Sequence, residues 1–265
     1  MKTQAEKART FRALHERERA FIIPNPWDAG SAKLLATMGF EALATTSAGY
    51  AFSAGKPDYG VGRDEMIEHV GVMSRATELP VSADLENCWG ETPEGIAETI
   101  RMAAAAGVVG GSIEDTTNRS EDPIFELEEA VNRVRAAVAA ARALSFPFTL
   151  TARAENYLWG RKDLKDTITR LTAYQEAGAD VLYAPGLSTR EEIGAVVSSV
   201  QRPVNVLMSI VGVDLSLEDL SALGVRRVSV GGSLARTALG AFLRAAEEMK
   251  TRGTFTYAGA AANYS

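Results

Sequence analysis

The stretch Ala106-Gly-Val-Val-Gly-Gly-Ser-Ile-Glu-Asp115 contains one complete unit of the pattern that decides the fold. A helical segment ends at glycine, a β-branched strand follows at once, and the strand ends in acidic residues. Glycine is the preferred residue just after a helix because it adopts the left-handed conformation without strain. The same order recurs around Gly39, Gly178 and Gly224. Repeated units of this kind are typical of βα repeats and a parallel sheet.

Extending this pattern along the chain predicts eight strands separated by helices. The strands are expected at Phe21–Pro24, Ala42–Thr46, Val81–Leu85, Val108–Glu114, Phe148–Arg153, Val181–Ala184, Val204–Met208 and Arg227–Gly231. Helices are expected at Ala29–Met38, Arg63–Thr77, Pro93–Ala106, Ile124–Ala143, Asp163–Ala177, Arg190–Ser199, Leu217–Leu223 and Ser233–Thr251. Eight such units fit a closed (β/α)8 TIM barrel of the α/β class.

An open, doubly wound sheet is the alternative architecture. No G-x-G-x-x-G motif follows the first strand, which weakens a dinucleotide-binding version of it. No linker divides the chain, so we predict one domain over residues 1–265. Residues 253–265, with Tyr257 and Tyr264, are rich in glycine and alanine. We expect this tail to be partly disordered or to pack on a neighbouring subunit.

Composition limits the function classes. The 265 residues are 46% hydrophobic and 23% charged, as in ordinary globular proteins, and the net charge is −6. An acidic chain with a pI near 5.2 is not expected to bind nucleic acid or an anionic membrane. The single cysteine, Cys88, excludes an intrachain disulfide. The N-terminus lacks the apolar core of a signal peptide, and we expect a cytoplasmic protein.

Charged residues collect where three predicted strands end. One strand ends in Asp84 and Glu86, the next in Glu114, and the one after in Arg153 and Glu155. Residues two apart on a strand share a face, and strand C-termini carry the active site of a barrel. Neighbouring carboxylates cannot all stay ionised without a cation between them. The pattern therefore predicts a Mg²⁺ site beside an arginine.

Each of these residues also has a structural interpretation. Asp84 could cap the next helix, although Thr92-Pro93 already supplies a cap near its start. Either Glu114 or Asp115 could face inward, and the small residues that alternate with Glu114 favour it. Arg153 could form a purely structural ion pair, or its guanidinium could bind a substrate carboxylate.

Other segments carry weaker signals. The segment 44–51 is predicted to be a βα loop whose backbone N–H groups could bind a carboxylate or phosphonate. Asp58, in the following segment, could be a metal-site residue or a solvated turn residue. The turn at 231–233 could bind a phosphate, or its glycines could only allow close packing. His15 and His69 are predicted to lie in helices, either as surface residues or as hydrogen-bonded structural residues.

Taken in order, six motifs resemble the isocitrate lyase/phosphoenolpyruvate mutase superfamily, in particular its 2-methylisocitrate lyase and phosphonomutase members. The motifs are Asn25–Ala32, Thr46–Gly49, Pro57-Asp58, Asp84-Leu-Glu86, Ile113–Asp115 and Arg153-Ala-Glu155. The resemblance implies a Mg²⁺-dependent (β/α)8 barrel that stabilises the enolate of a 2-oxo acid while a C–C or P–C bond breaks or forms. It also implies a homotetramer or dimer, with the last helix exchanged between neighbouring barrels.

The resemblance also assigns roles by position. Asp84 resembles the direct Mg²⁺ ligand, and Asp58, Glu86 and Glu114 resemble the residues that hold the metal through water. Substrate binding falls to Thr46, Ser47, Ala48 and Arg153. The proton donor is left open between a metal-bound water, Glu155 and Tyr50. The expected substrate is a small anionic 2-oxo or 2-hydroxy acid.

The chain departs from the superfamily's patterns in the part that selects the substrate. The segment 116–123 lacks the cysteine of the isocitrate and methylisocitrate lyases, and Cys88 replaces a common glycine. Oxaloacetate decarboxylase or hydrolase and phosphonopyruvate-type activity are therefore alternatives to a methylisocitrate-type lyase. Two alternatives from other classes are a metal-independent sugar-phosphate enzyme and a non-catalytic scaffold.

Overall fold

Eight parallel strands form a barrel in the computed structural model, which describes residues 2–209 and 212–263. The strands are β1 Phe21–Ile23, β2 Leu43–Ala44, β3 Val81–Asp84, β4 Gly110–Glu114, β5 Thr149–Arg153, β6 Val181–Tyr183, β7 Val204–Leu207 and β8 Arg227–Ser229. From β2 to β8, consecutive strands pair with one another, and β1 pairs with β8. This pairing of the first and last strands excludes the open doubly wound sheet and confirms the predicted TIM barrel.

Helices separate consecutive strands, as the predicted repeats require. They are α1 Gln4–His15, α2 Ala29–Thr37, α3 Ser47–Ser53, α4 Arg63–Ala76, α5 Pro93–Ala105, α6 Leu127–Arg142, α7 Leu164–Glu176, α8 Arg190–Ser199, α9 Leu217–Ala222 and α10 Ser233–Arg252. The glycines at 39, 107, 178 and 224 all have positive φ, as predicted for residues that end helices. No described helix combines the length and apolar character needed to cross a bilayer.

The seam between β1 and β2 is closed by few bonds. The N–H of Ala44 donates to the carbonyl of Pro24 at 3.1 Å. Next to it, the buried Asn25 side chain donates to the carbonyl of Thr45 and accepts from the N–H groups of Val230 and Gly231. One amide thus joins the ends of β1, β2 and β8.

Helix α1 covers the N-terminal end of the barrel. Its apolar residues Phe11 and Leu14 pack with Phe21, Ile23 and Val109 of the strand region in a separate buried cluster. The helix is fixed by a capping box in which Thr3 and Glu6 bond reciprocally. The opposite, C-terminal end of the strands is left for the site.

Three sequence-based boundaries are wrong. Residues 47–53, predicted as loop, form α3, because Thr46 accepts from the N–H of Gly49 and caps a helix there. The helix predicted to begin at Ile124 begins at Leu127, because Ile124 forms an antiparallel bridge with Thr116. The strand predicted to carry Glu86 ends at Asp84.

Part of the expected tail has regular structure. After Gly253 ends α10 with φ 62°, residues Thr256–Ala260 form a 3-10 helix. The buried Glu248 carboxylate accepts from the N–H and hydroxyl of Thr256 and from the hydroxyl of Thr254. Tyr264 lies outside the described residues, and partial disorder of the tail stays a prediction.

Candidate active site

Asp84, Glu114 and Arg153 are the last residues of three adjacent strands, β3, β4 and β5. In the sheet register, Glu114 lies beside Arg153 and Asp84 lies beside Ser112. The three side chains meet at the C-terminal end of the barrel, the end at which TIM-barrel active sites are formed.

Arg153 is the electrostatic centre of this group. Its guanidinium lies 3.0 Å from the Glu114 carboxylate and 3.7 Å from that of Asp84, and its Nε donates to Glu155. The guanidinium carbon also lies 5.2 Å from the centre of the Tyr183 ring, within the range of a cation–π contact. One half-buried arginine thus faces three carboxylates.

Glu86 also belongs to this acidic group, but it lies beyond the strand in which the sequence analysis placed it. The chain leaves β3 after Asp84, and Glu86 has a left-handed backbone with φ 46°. Burial, together with the charges of Asp84 and Asp58, raises the pKa of Glu86 to about 8. Cys88 and Trp89 also have positive φ, so this segment holds three strained non-glycine residues.

The two acidic residues at the end of β4 face opposite ways. Glu114 faces Arg153, whereas the buried Asp115 accepts from Arg170 at 3.1 Å and from the Tyr174 hydroxyl at 2.5 Å. The other oxygen of Asp115 accepts from the N–H of Glu155 at 2.8 Å. Asp115 therefore supports the β5 end from outside the barrel.

The start of α3 is joined directly to the acidic group. Both the N–H and the hydroxyl of Ser47 donate to Asp84, at 3.0 and 2.9 Å. Thr46 caps the helix, and Ala48 is the half-buried second residue of α3, next to the turn at Gly232. The three residues expected to bind substrate thus adjoin Asp84.

Tyr50, a predicted proton donor, lies elsewhere. Its ring stacks on His69 of α4 with centroids 3.8 Å apart. Burial and the charge of Glu65 raise its pKa, and no carboxylate of the acidic group contributes to this shift. Tyr50 therefore faces α4, and the geometry gives no support to its catalytic assignment.

Tyr59, which the sequence analysis did not single out, lies nearer the acids. Its pKa is raised by burial and by the charges of Glu114 and Glu155, and its ring stacks on Trp159 with centroids 6.4 Å apart. The preceding Asp58 is exposed on the same loop, and partial desolvation and the charge of Asp84 raise its pKa. The left-handed backbone of Tyr59, φ 60°, was not foreseeable from residue type.

The histidines and the cysteine take structural positions. His15 and His69 are both buried, so neither is a surface residue, and the Nδ1 of His15 bonds to the Phe11 carbonyl at 2.9 Å. Cys88 is fully buried, and burial raises the pKa of its thiol to about 12. A thiol with this pKa is unsuited to act as a nucleophile at neutral pH.

The acidic group fits a hydrated cation better than direct coordination by many carboxylates. Both oxygens of Glu86 and one of Glu114 are buried with no hydrogen-bond partner in the described structure. Buried carboxylates without partners are costly, which indicates that a cation or ordered water belongs between them. Within residues 2–209 and 212–263, no three His, Cys, Asp or Glu side chains converge closely enough to ligate one ion. One direct ligand, with the others acting through water, agrees with both observations.

A cavity of about 60 Å³ extends from Asp84 and Arg153 into the barrel interior. It is also lined by polar residues that the sequence analysis missed: Tyr183, Asn205, Arg227 and Ser229. Arg227 and Ser229 occur two residues apart in a segment that also contains Val225, Val228 and Val230, and this spacing was a usable signal for a polar pair on one face of the strand.

The alternative phosphate site at 231–233 has few free donors. The N–H of Gly231 donates to Asn25 and that of Ser233 donates to the carbonyl of Val230. Two of the three backbone N–H groups of this turn are therefore already used, which favours the interpretation of its glycines as packing residues.

Comparison with known proteins assigns this arrangement to one family. The model of the phosphoenolpyruvate phosphomutase family matches residues 11–250. A solved structure from Burkholderia cenocepacia J2315, assigned in general terms as a lyase or mutase, has 64% sequence identity and a TM-score of 0.96, covering 98% of this chain and 94% of that one.

Two named enzymes are similar over most of their length. The 2-methylisocitrate lyase of Halalkalibacterium halodurans is 29% identical over 262 residues, which are 96% of this chain and 85% of that protein. The oxaloacetate decarboxylase of Paraburkholderia xenovorans is 31% identical over 229 residues, which are 83% of this chain and 73% of that protein.

Proposed function

Because the chain belongs to the phosphoenolpyruvate phosphomutase family of lyases and mutases, within the predicted superfamily, we propose that it is a Mg²⁺-dependent lyase or mutase. It would cleave or form a C–C or P–C bond next to a 2-oxo acid, through a pyruvate-type enolate. The observation that carries the proposal is the set of buried carboxylates around Arg153, with three oxygens of Glu86 and Glu114 unpartnered.

Mg²⁺ would be held by Asp84 directly and by Asp58, Glu86 and Glu114 through water. When bound, it would act as a Lewis acid that stabilises negative charge on the 2-oxo acid. The protein's own side chains would bind and orient the substrate. Arg153, which already faces three carboxylates, would bind the second anionic group of the substrate.

The start of α3 would hold the pyruvyl end. Ser47 donates two hydrogen bonds to Asp84, so a substrate carboxylate placed beside Thr46, Ser47 and Ala48 would sit next to the metal ligand. Glu155 and a metal-bound water remain as candidate proton carriers from the sequence analysis. Burial raises the pKa of the Glu155 carboxyl, although the charge of Arg153 opposes the rise, and a raised pKa favours proton transfer nearer neutral pH.

Decarboxylation of oxaloacetate is the second candidate reaction. The similarity to an oxaloacetate decarboxylase supports it, and the reaction also breaks a C–C bond next to a 2-oxo acid. It needs no general acid from the segment 116–123, where the lyases' cysteine is absent.

A pyruvate-release assay coupled to lactate dehydrogenase tests the proposal. The panel contains methylisocitrate, oxaloacetate, phosphonopyruvate and further 2-hydroxy or 2-oxo diacids, each with Mg²⁺ and with EDTA, and isocitrate is followed by glyoxylate. We expect Mg²⁺-dependent turnover of at least one compound. Asp84→Ala should abolish it with the fold retained, because the direct ligand is lost, whereas Asp64→Ala, at an exposed position on α4, should not.

Two results would contradict the proposal, and a third would contradict the assignment of its metal ligand. Turnover that survives EDTA would favour a metal-independent enzyme. Equilibrium binding of Mg²⁺ with no turnover across the panel would favour a non-catalytic barrel. Full activity in Asp84→Ala would refute the assignment of the metal ligand.

A further inference from the structure

Arg227 is a charged residue in the interior of the barrel. It is the first residue of β8, pairs in register with Phe21 of β1 and Asn205 of β7, and is only 6% exposed. Burial lowers its pKa to about 10, so the guanidinium is still protonated at neutral pH.

The hydrogen-bond partners of this guanidinium are all neutral. It donates to Asn205 Oδ1 at 2.9 Å and to Thr151 Oγ1 at 3.1 Å, and it lies 3.4 Å from His15 Nε2. The Nδ1 of His15 faces the carbonyl of Phe11 and must carry the proton, so Nε2 accepts from Arg227. Within the described residues, Arg227 has no carboxylate as an ion-pair or hydrogen-bond partner.

A buried charge without a counter-ion is expensive, and a neutral side chain could join the same strands at a lower cost. An anion bound at the other end of the interior cavity would supply the missing counter-charge. Arg227 lines this cavity at one end, and Asp84 and Arg153 line it at the other. The other residues that line the cavity are polar, such as Tyr183 and Ser229, or apolar, such as Ile23, and none of them is charged.

We infer that Arg227 is an electrostatic support of the active site: an uncompensated cation beneath the carboxylates that strengthens binding of a dianionic 2-oxo acid or enolate. This inference rests on the proposed function. The same charge repels Mg²⁺, so Arg227 shifts the balance of the site from metal binding towards anion binding. A purely structural role would not change the two affinities in opposite directions.

The isosteric variant Asn205→Asp tests this role. It keeps the oxygen that accepts from Arg227 Nε and supplies the missing counter-charge in place. With oxalate as a planar dianionic probe, we expect calorimetry to show about tenfold weaker binding in saturating Mg²⁺ and tighter binding of Mg²⁺ alone. The melting temperature without ligands should not fall, because the buried charge is now paired.

Asn132→Asp, the same change at an exposed position on α6, is the matched control and should leave both affinities unchanged. Arg227→Lys keeps the charge but not the planar fork, and it should retain oxalate binding within a fewfold. If Asn205→Asp does not fold, loss of oxalate binding by a folded Arg227→Lys would overturn the inference.

The experiment distinguishes failure of the inference about Arg227 from failure of the proposed function. Wild-type oxalate affinity in folded Asn205→Asp would overturn the role of Arg227 and leave the proposed function standing. A parallel weakening of Mg²⁺ and oxalate would indicate a distorted site and would also overturn it. Absence of Mg²⁺-dependent oxalate binding in the wild-type chain would overturn the proposed function and this inference with it.

Discussion

At the scale of single residues, Glu86 is a buried carboxylate of the proposed cation site. Its carboxylate is buried with both oxygens unpartnered, so the charged form is disfavoured and its pKa rises from 4.5 to about 8. The metal-free folded chain therefore binds a proton near neutral pH that the unfolded chain releases. A cation in the site would reverse this preference by favouring the ionised carboxylate.

The sign of the pH dependence follows from these pKa values. Because the folded state holds more protons between pH 4.5 and about 8, the free energy of unfolding of the metal-free chain should fall as pH rises through this range. Thermal melting in EDTA should show the fall, and Glu86→Gln should make it shallower. Glu128→Gln, at an exposed position on α6, should not. If stability falls with rising pH as steeply in Glu86→Gln as in the wild-type chain, Glu86 is not the group that causes the fall.

At the scale of elements, the closure of the barrel depends on side chains as well as on strand pairing. Strand β2 has two residues, and it is joined to β1 by one backbone bond and by the amide of Asn25. The same amide bonds to the chain just after β8. This arrangement supports the positions of both Thr46 and the turn before α10.

Loss of this amide should destabilise the barrel. Asn25→Ala would leave two half-buried N–H groups and one buried carbonyl without partners, at a cost of about 2–4 kcal/mol in the free energy of unfolding. Denaturant titration measures the effect, and Asn132→Ala on the exposed face of α6 is the control. If Asn25→Ala lowers the free energy of unfolding by less than the control does, the three strand ends are held together without Asn25.

At the scale of the whole molecule, α10 presents an apolar face to solvent. Leu239, Phe242 and Leu243 have helical i, i+3, i+4 spacing and are 43%, 66% and 56% exposed. Leu239 and Phe242 line a cavity of about 270 Å³ that is also lined by Trp27 and Phe52. Contiguous apolar surface of this kind is typical of interaction sites.

We propose that this face is covered by a second copy of the chain in a homo-oligomer. Light scattering coupled to gel filtration should give a mass of a dimer or tetramer of the 28.3 kDa chain. Phe242→Glu should lower this mass, because a buried unpaired charge would oppose association. Leu34→Glu, at a 67% exposed leucine on α2, is the control. A monomeric wild-type chain would refute the proposal; exchange of α10 between subunits stays a prediction.

Much of this protein was determined by its sequence because the relevant signals are local. A glycine that ends a helix, a β-branched run and a threonine cap act within a few residues, so the eight βα units and the barrel could be predicted. For the same reason, Asp84, Glu114 and Arg153 could be predicted at strand ends, and a parallel barrel brings these ends together.

Only the tertiary structure decided how the side chains pair. Arg227 and His15 are 212 residues apart in sequence, and Asp115 and Tyr174 are 59 apart, so their contacts exist only after distant elements pack. The same holds for Tyr50, which turns to His69 of α4, and for Glu86, which leaves the strand by a left-handed turn. Burial and partner identity set the charge of such groups, and neither is a property of a single segment of the chain.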